Sequence, residues 1–150
     1  EEQVISLPIL EDWAIALIYP GFRLDTKEAR TVLPKNISLT DHSVAASRAA
    51  IVVASLFKND MPTFSHFMQD AIIEPVRAHL IPGFEKIKAN ALENGAYACS
   101  ISGAGPTIFA ICPKQKSDHI LKSMLNAVTD PTHTRGWISQ IHRDGAKILK

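Results

Sequence analysis

Two arginines and one glycine-rich turn are the groups in this 150-residue chain best suited to hold an anion. Arg30 stands four residues after Thr26, so on a helix the two point the same way. Arg77 follows Glu74-Pro75, in a short stretch set between prolines. A guanidinium is a planar fork that bonds carboxylate or phosphate in bidentate fashion. The third candidate is Ser102-Gly103-Ala104-Gly105-Pro106-Thr107. Its glycines can take positive φ, and its small side chains expose backbone N–H groups in a concavity that suits phosphate above all. A plainer reading stays open for each. The arginines also read as surface residues paired with Glu28 and Glu74, and a hairpin can need its glycines for shape alone.

Other chemistries lack their residues. There is no Gly-x-Ser-x-Gly elbow, no GxxxxGK[ST] phosphate loop and no strand–GxGxxG–helix unit, since the Gly103–Gly105 turn leads into a strand. The six histidines, His42, His66, His79, His119, His133 and His142, form no i, i+4 metal pair and no HExxH. They read as surface or cap residues, and no metal site is expected. Cys99 and Cys112 fall on neighbouring strands, near each other but not clearly opposite. They lack redox or metal spacing and read as buried free thiols of a cytoplasmic protein.

The net charge is +1, with Lys and Arg scattered, so neither nucleic acid nor an anionic membrane is an expected partner. The longest apolar run, Ala49 to Phe57, is too short to span a bilayer. No signal peptide is recognised. The chain opens at Glu1 without methionine, which suggests a domain of a longer protein: residues 1–12 a lead-in, residues 13–150 the domain.

The elements that must position the candidates follow in order. Trp13–Tyr19 is nearly continuous apolar chain and reads as a central strand stopped by Pro20-Gly21. A short helix, Lys27–Leu33, follows a cap at Asp25 or Thr26. A long helix is expected at about His42–Phe57, and another after the Asp60 cap, with Phe64, Phe67, Met68, Ala71 and Ile72 as its core stripe. Glu74-Pro75 interrupts, and Val76–Leu80 makes a short turn of helix. Gly83–Glu93 is helical up to Asn94-Gly95. Ala96–Cys112 is the hairpin, Pro113–Lys116 a loop, Ser117 the cap of a helix to about Val128, and Trp137–His142 a final strand. The tail from Asp144 is expected at an edge. Without the helices inserted after the first strand this is βαββαβ, the α+β ferredoxin-like split unit: a four-stranded antiparallel sheet with helices on one face.

Three stretches together resemble the C-terminal domain of homoserine kinase, in the superfamily of galactokinase, homoserine, mevalonate and phosphomevalonate (GHMP) kinases. Ile101-Ser102-Gly103-Ala104-Gly105-Pro106-Thr107-Ile108-Phe109-Ala110 is similar to the superfamily's third motif. Tyr19-Pro20-Gly21 with Thr26-Lys27-Glu28-Ala29-Arg30 and Leu33-Pro34, and Glu74-Pro75-Val76-Arg77 with Leu80-Ile81-Pro82-Gly83-Phe84, are similar to homoserine kinase segments. The resemblance runs from Trp13 to about Leu149.

The resemblance implies transfer of the γ-phosphoryl group of ATP to the hydroxyl of L-homoserine, a step of threonine biosynthesis. It implies that Thr26, Arg30 and Arg77 bind homoserine, the two arginines clamping its carboxylate. The Ser102–Thr107 turn would then shape the pocket beside a phosphate loop. That loop, Pro-x-x-x-Gly-Leu-Gly-Ser-Ser-Ala, is absent from these residues. In the family it belongs, with the Mg2+ ligands and the nucleotide pocket, to an N-terminal domain, the expected partner. The chain alone is therefore expected to fold without kinase activity. Two alternatives remain: a non-catalytic amino-acid-binding regulatory module, and another kinase of the same superfamily. Self-association into a homodimer is left open.

Overall fold

Trp13–Tyr19 forms the strand its apolar run implies, β1. The structure is a computed structural model that describes residues 5–8 and 10–142. Parts of the expected lead-in, and the tail from Asp144, lie outside the described residues. β1 pairs antiparallel with β3 (Ile108–Pro113) on one side and β4 (Arg135–Ser139) on the other. β2 (Ala98–Ile101) pairs with the far edge of β3, giving the order β2-β3-β1-β4. This is the expected four-stranded antiparallel sheet, with β1 in its interior.

The strand period sorts side chains into two faces. Ala14, Ala16 and Ile18 of β1 lie beside Cys112, Ala110 and Ile108 of β3, all essentially inaccessible. Helix α5 (Phe84–Glu93) covers this face with Phe84, Ile87 and Ala91, and helix α6 (Ser117–Asn126) with Ile120 and Met124. Each large apolar side chain removed from water here contributes about 1.5–3 kcal/mol.

The other face is covered in part, which departs from helices on one face only. Helix α2 (Leu39–Lys58) and helix α3 (Met61–Phe67) pack there on Trp13, Tyr97 and Ile111. The Trp13 ring centroid lies 4.9 Å from Phe64 and 5.5 Å from Tyr97. The reason is in β1 itself: Trp13, Ile15 and Leu17 alternate with the core residues and are too apolar to leave wholly in water.

Local chemistry moves several boundaries. Helix α1 spans Thr26–Thr31, capped by Asp25, whose carboxylate accepts from the Lys27 amide at 2.7 Å. Helix α2 begins three residues before His42 because Ser38 caps it through the Asp41 amide. Helix α3 stops at Phe67, so Met68, Ala71 and Ile72 leave the helical stripe. Pro75 does not interrupt helix α4 (Ile73–Ala78); it sits in the first turn, where its missing N–H has no helical partner to lose. Residues 114–116 form a 3-10 turn, and Ser117 is the first residue of α6 rather than its cap. β4 starts at Arg135, two residues early, with Gly136 lying against Leu121 and Leu125 of α6.

Candidate functional site

Helix α4 is fixed before it presents anything. Asp70 accepts from the amides of Ile72 and Ile73 at 2.9 and 2.8 Å, closing the turn into the helix. Glu74, buried, holds its carboxylate against Lys88 Nζ of α5 and accepts from Ser100 Oγ of β2 at 2.5 Å. The helix is thus tied to both neighbours, and Arg77 follows one turn later.

Arg77 joins three separate stretches of chain. Its Nε donates to the Ala29 carbonyl at 3.1 Å, and its Nη1 donates to the Gly103 carbonyl at 3.1 Å. A guanidinium has five N–H donors, so three stay uncommitted. The pairing with Glu74 suggested by spacing does not form, because Glu74 is taken by Lys88 and Ser100. Ala29 is fully buried, while Thr26 and Arg30 on the same helix are exposed. The Arg30 side chain has no hydrogen bond or ion pair among the described residues, so the pairing with Glu28 suggested by spacing does not form either.

The glycine hairpin lies on the third side. The Gly105 amide donates to the Ser102 carbonyl at 3.0 Å, and the Ser102 amide to the Thr107 carbonyl at 2.8 Å. The amides of Gly103 and Ala104 have no acceptor among the described residues. Gly105, at φ +88°, is required twice over: an added Cβ would lie 3.1 Å from Ile81 Cδ1 and 3.2 Å from Ile101 Cγ2. Gly103, at φ +61°, faces open space. Pro106 is buried at the base of the turn.

The structure therefore brings Thr26 and Arg30 (on α1), Arg77 (on α4) and Ser102–Thr107 to one end of the sheet. Of these groups, the Arg77 guanidinium and the glycine turn that carries the free amides are in direct contact, an arrangement suited to carboxylate or phosphate. No cluster of three or more His, Cys, Asp or Glu able to hold a metal occurs among the described residues. All six histidines are exposed, and both cysteines are buried and unbridged. Burial pushes the Cys99 thiol up to about 12, with Lys88 opposing and Glu74 adding to the shift, so it is no nucleophile at neutral pH.

Sequence reasoning missed the Glu74–Lys88–Ser100 group. The partners lie 14 and 26 positions from Glu74, and no local spacing signals them. It also passed over Arg48, which lines a cavity beneath α2.

Comparison with known proteins gives the family. Residues 52–129 match the family described as GHMP kinases C terminal. The chain is 35% identical over 150 residues to the homoserine kinase of Chlorobium phaeobacteroides, covering 97% of this chain and 47% of that protein. It is 34% identical to the homoserine kinase of Arabidopsis thaliana, covering 97% of this chain and 40% of that one. The crystal structure of homoserine kinase from Cytophaga hutchinsonii superposes with a TM-score of 0.86 at 35% identity, covering 93% of this chain and 45% of that chain. The chain spans less than half the length of these relatives. In the membrane question the described residues are plain: no helix is long and apolar enough to cross a bilayer. Sheet order, glycine hairpin and matched residues lead to one assignment: the chain belongs to the GHMP kinase family, whose C-terminal domain it forms.

Proposed function

We propose that this chain is the substrate-binding half of a homoserine kinase, which uses ATP to phosphorylate the hydroxyl of L-homoserine in the cytoplasm. The observation that carries the reading is the Arg77 guanidinium. It is fixed by the Ala29 and Gly103 carbonyls and keeps three N–H groups in hand beside the helix that bears Arg30. Arg30 and Arg77 clamp the substrate carboxylate, and Thr26, one turn before Arg30, donates its hydroxyl to the same end of the molecule.

Held by one end, a small zwitterion has few orientations left for its hydroxyl, and fixing that geometry is a large part of phosphoryl-transfer catalysis. The hydroxyl oxygen forms a bond to the γ-phosphorus, the bond to ADP breaks, and the hydroxyl proton is lost. The uncommitted amides of Gly103 and Ala104 would meet charge on the transferred group. ATP and Mg2+ are held mainly by an N-terminal domain of the complete protein. By itself the 150-residue chain turns over no ATP.

Steady-state kinetics of the complete protein with L-homoserine test this. Loss of one charge-assisted contact costs about 1.5–3 kcal/mol. Arg30→Ala is therefore expected to lower kcat/KM for homoserine about ten- to a hundredfold, with the ATP KM unchanged. Unaltered homoserine kinetics in Arg30→Ala would remove the carboxylate clamp. Turnover by the isolated chain would remove the half-site reading.

A further inference from the structure

A cavity of about 490 Å³ opens between α2, residues 67–72 and strands β2 and β3. Its volume falls within the range of small-molecule sites. Val44, Val52, Phe67, Ile101 and Phe109 make much of its wall. One charged group in that wall is unanswered. Nη1 of Arg48 is sealed from solvent and has no hydrogen-bond partner among the described residues. Of the other polar lining groups, Gln69 is exposed and its side chain makes no hydrogen bond among the described residues, while the rest are committed. Asp41 accepts from Ser38 Oγ at 2.7 Å, Asp70 caps the turn into α4, and Ser100 donates to Glu74.

A buried donor without an acceptor is costly, and native proteins seldom leave one. Nη1 is out of a ligand's reach where it stands, so a ligand would meet the other N–H groups of the same guanidinium, which also have no partner among the described residues, within a largely apolar wall. We propose that this cavity is a second ligand site, separate from the Arg30–Arg77 site, for a small molecule with an apolar body and one carboxylate, the carboxylate taken by Arg48. A monoanion is favoured over a phosphate ester. Asp41 and Asp70 also line the cavity, so a dianion meets two carboxylates against one guanidinium.

Saturation-transfer NMR on the complete protein, with octanoate as probe and 1-octanol as its uncharged control, tests the site. Octanoate is expected to bind at least tenfold more tightly than 1-octanol. Arg48→Met abolishes that preference, while Arg30→Ala leaves it intact. Val44→Trp, which fills the cavity from its rim, eliminates octanoate binding and keeps the test sharp should Arg48→Met fail to fold. Equal binding of the two probes overturns the proposal. So does binding that survives Arg48→Met or Val44→Trp, or binding lost in Arg30→Ala. Absence of binding to the complete protein overturns it too, and assigns the cavity to another part of the polypeptide.

Discussion

Arg77 and Ala29, 48 positions apart, are joined by a hydrogen bond from the guanidinium Nε to the backbone carbonyl at 3.1 Å. A side chain proposed to grip substrate is thus also a strut between helices. The two roles separate by mutation. Arg77→Ala removes the bonds to Ala29 and Gly103 together, and is expected to cost about 2 kcal/mol of stability as well as homoserine turnover. Arg30→Ala is expected to stay within about 0.5 kcal/mol of the parent, since nothing among the described residues leans on it. Urea denaturation of both variants measures the difference; equal stability losses would contradict it.

The two hairpin glycines differ in kind. Gly105→Ala places a methyl group against Ile81 and Ile101 at positive φ, and is expected to destabilise by about 2–4 kcal/mol. Gly103→Ala meets no neighbour within 4 Å and carries only the left-handed backbone cost, about 1–2 kcal/mol. Thermal midpoints of the pair should fall in that order.

Glu74 should behave as a partly buried ion-pair partner. Glu74→Gln leaves the Lys88 ammonium poorly answered. Because both side chains retain some exposure, the expected loss is about 1–3 kcal/mol rather than the full cost of a buried charge. Adding Lys88→Met should restore part of it. If the double variant is no more stable than the single one, the pair is not what holds α4.

The thiols give a pH signature. Burial holds Cys99 near 12 in the folded chain against 9.0 unfolded. Above pH 9.0 the unfolded thiol ionises while the folded one keeps its proton, so stability is full below that pH and falls as pH rises toward 12. The slope is about 1.4 kcal/mol per pH unit for this one group. Cys112 is pushed up as well, chiefly by burial. Denaturation midpoints between pH 8 and pH 11 should decline less steeply in Cys99→Ala. At pH 8, a thiol reagent should label neither cysteine until urea is added.

What could be read from residue order was what depends on near neighbours. The apolar run Trp13–Tyr19 placed β1 to the residue, and the Asp60 cap and the glycine turn followed from local chemistry. Boundaries slipped where the cap lay upstream of the first expected helical residue, as at Ser38, or where a proline in a first turn was taken for a break, as at Pro75. Thr26, Arg30 and Arg77 were singled out in advance, the first two by helical spacing. How Arg77 is tied to α1 and to the glycine turn was hidden, because its acceptors are backbone carbonyls, which every residue carries. Glu74 was assigned to the nearest arginine in sequence; the fold offers it Lys88 and Ser100 instead. Arg48 looked like any polar position of a long helix until β2 and β3 enclosed it.

Of the four strands of this sheet, the one that leaves a ribosome first is the one that waits longest for its partners. β1 bonds to β3 and β4, and Leu17 finds Trp137 only after everything between them in sequence has been made. Until then its apolar edges are open to any other unpaired strand, in the same nascent chain or a neighbouring one. Expression yield should therefore depend on how quickly synthesis reaches the last strand, and chaperone demand should peak while β1 is exposed without either partner.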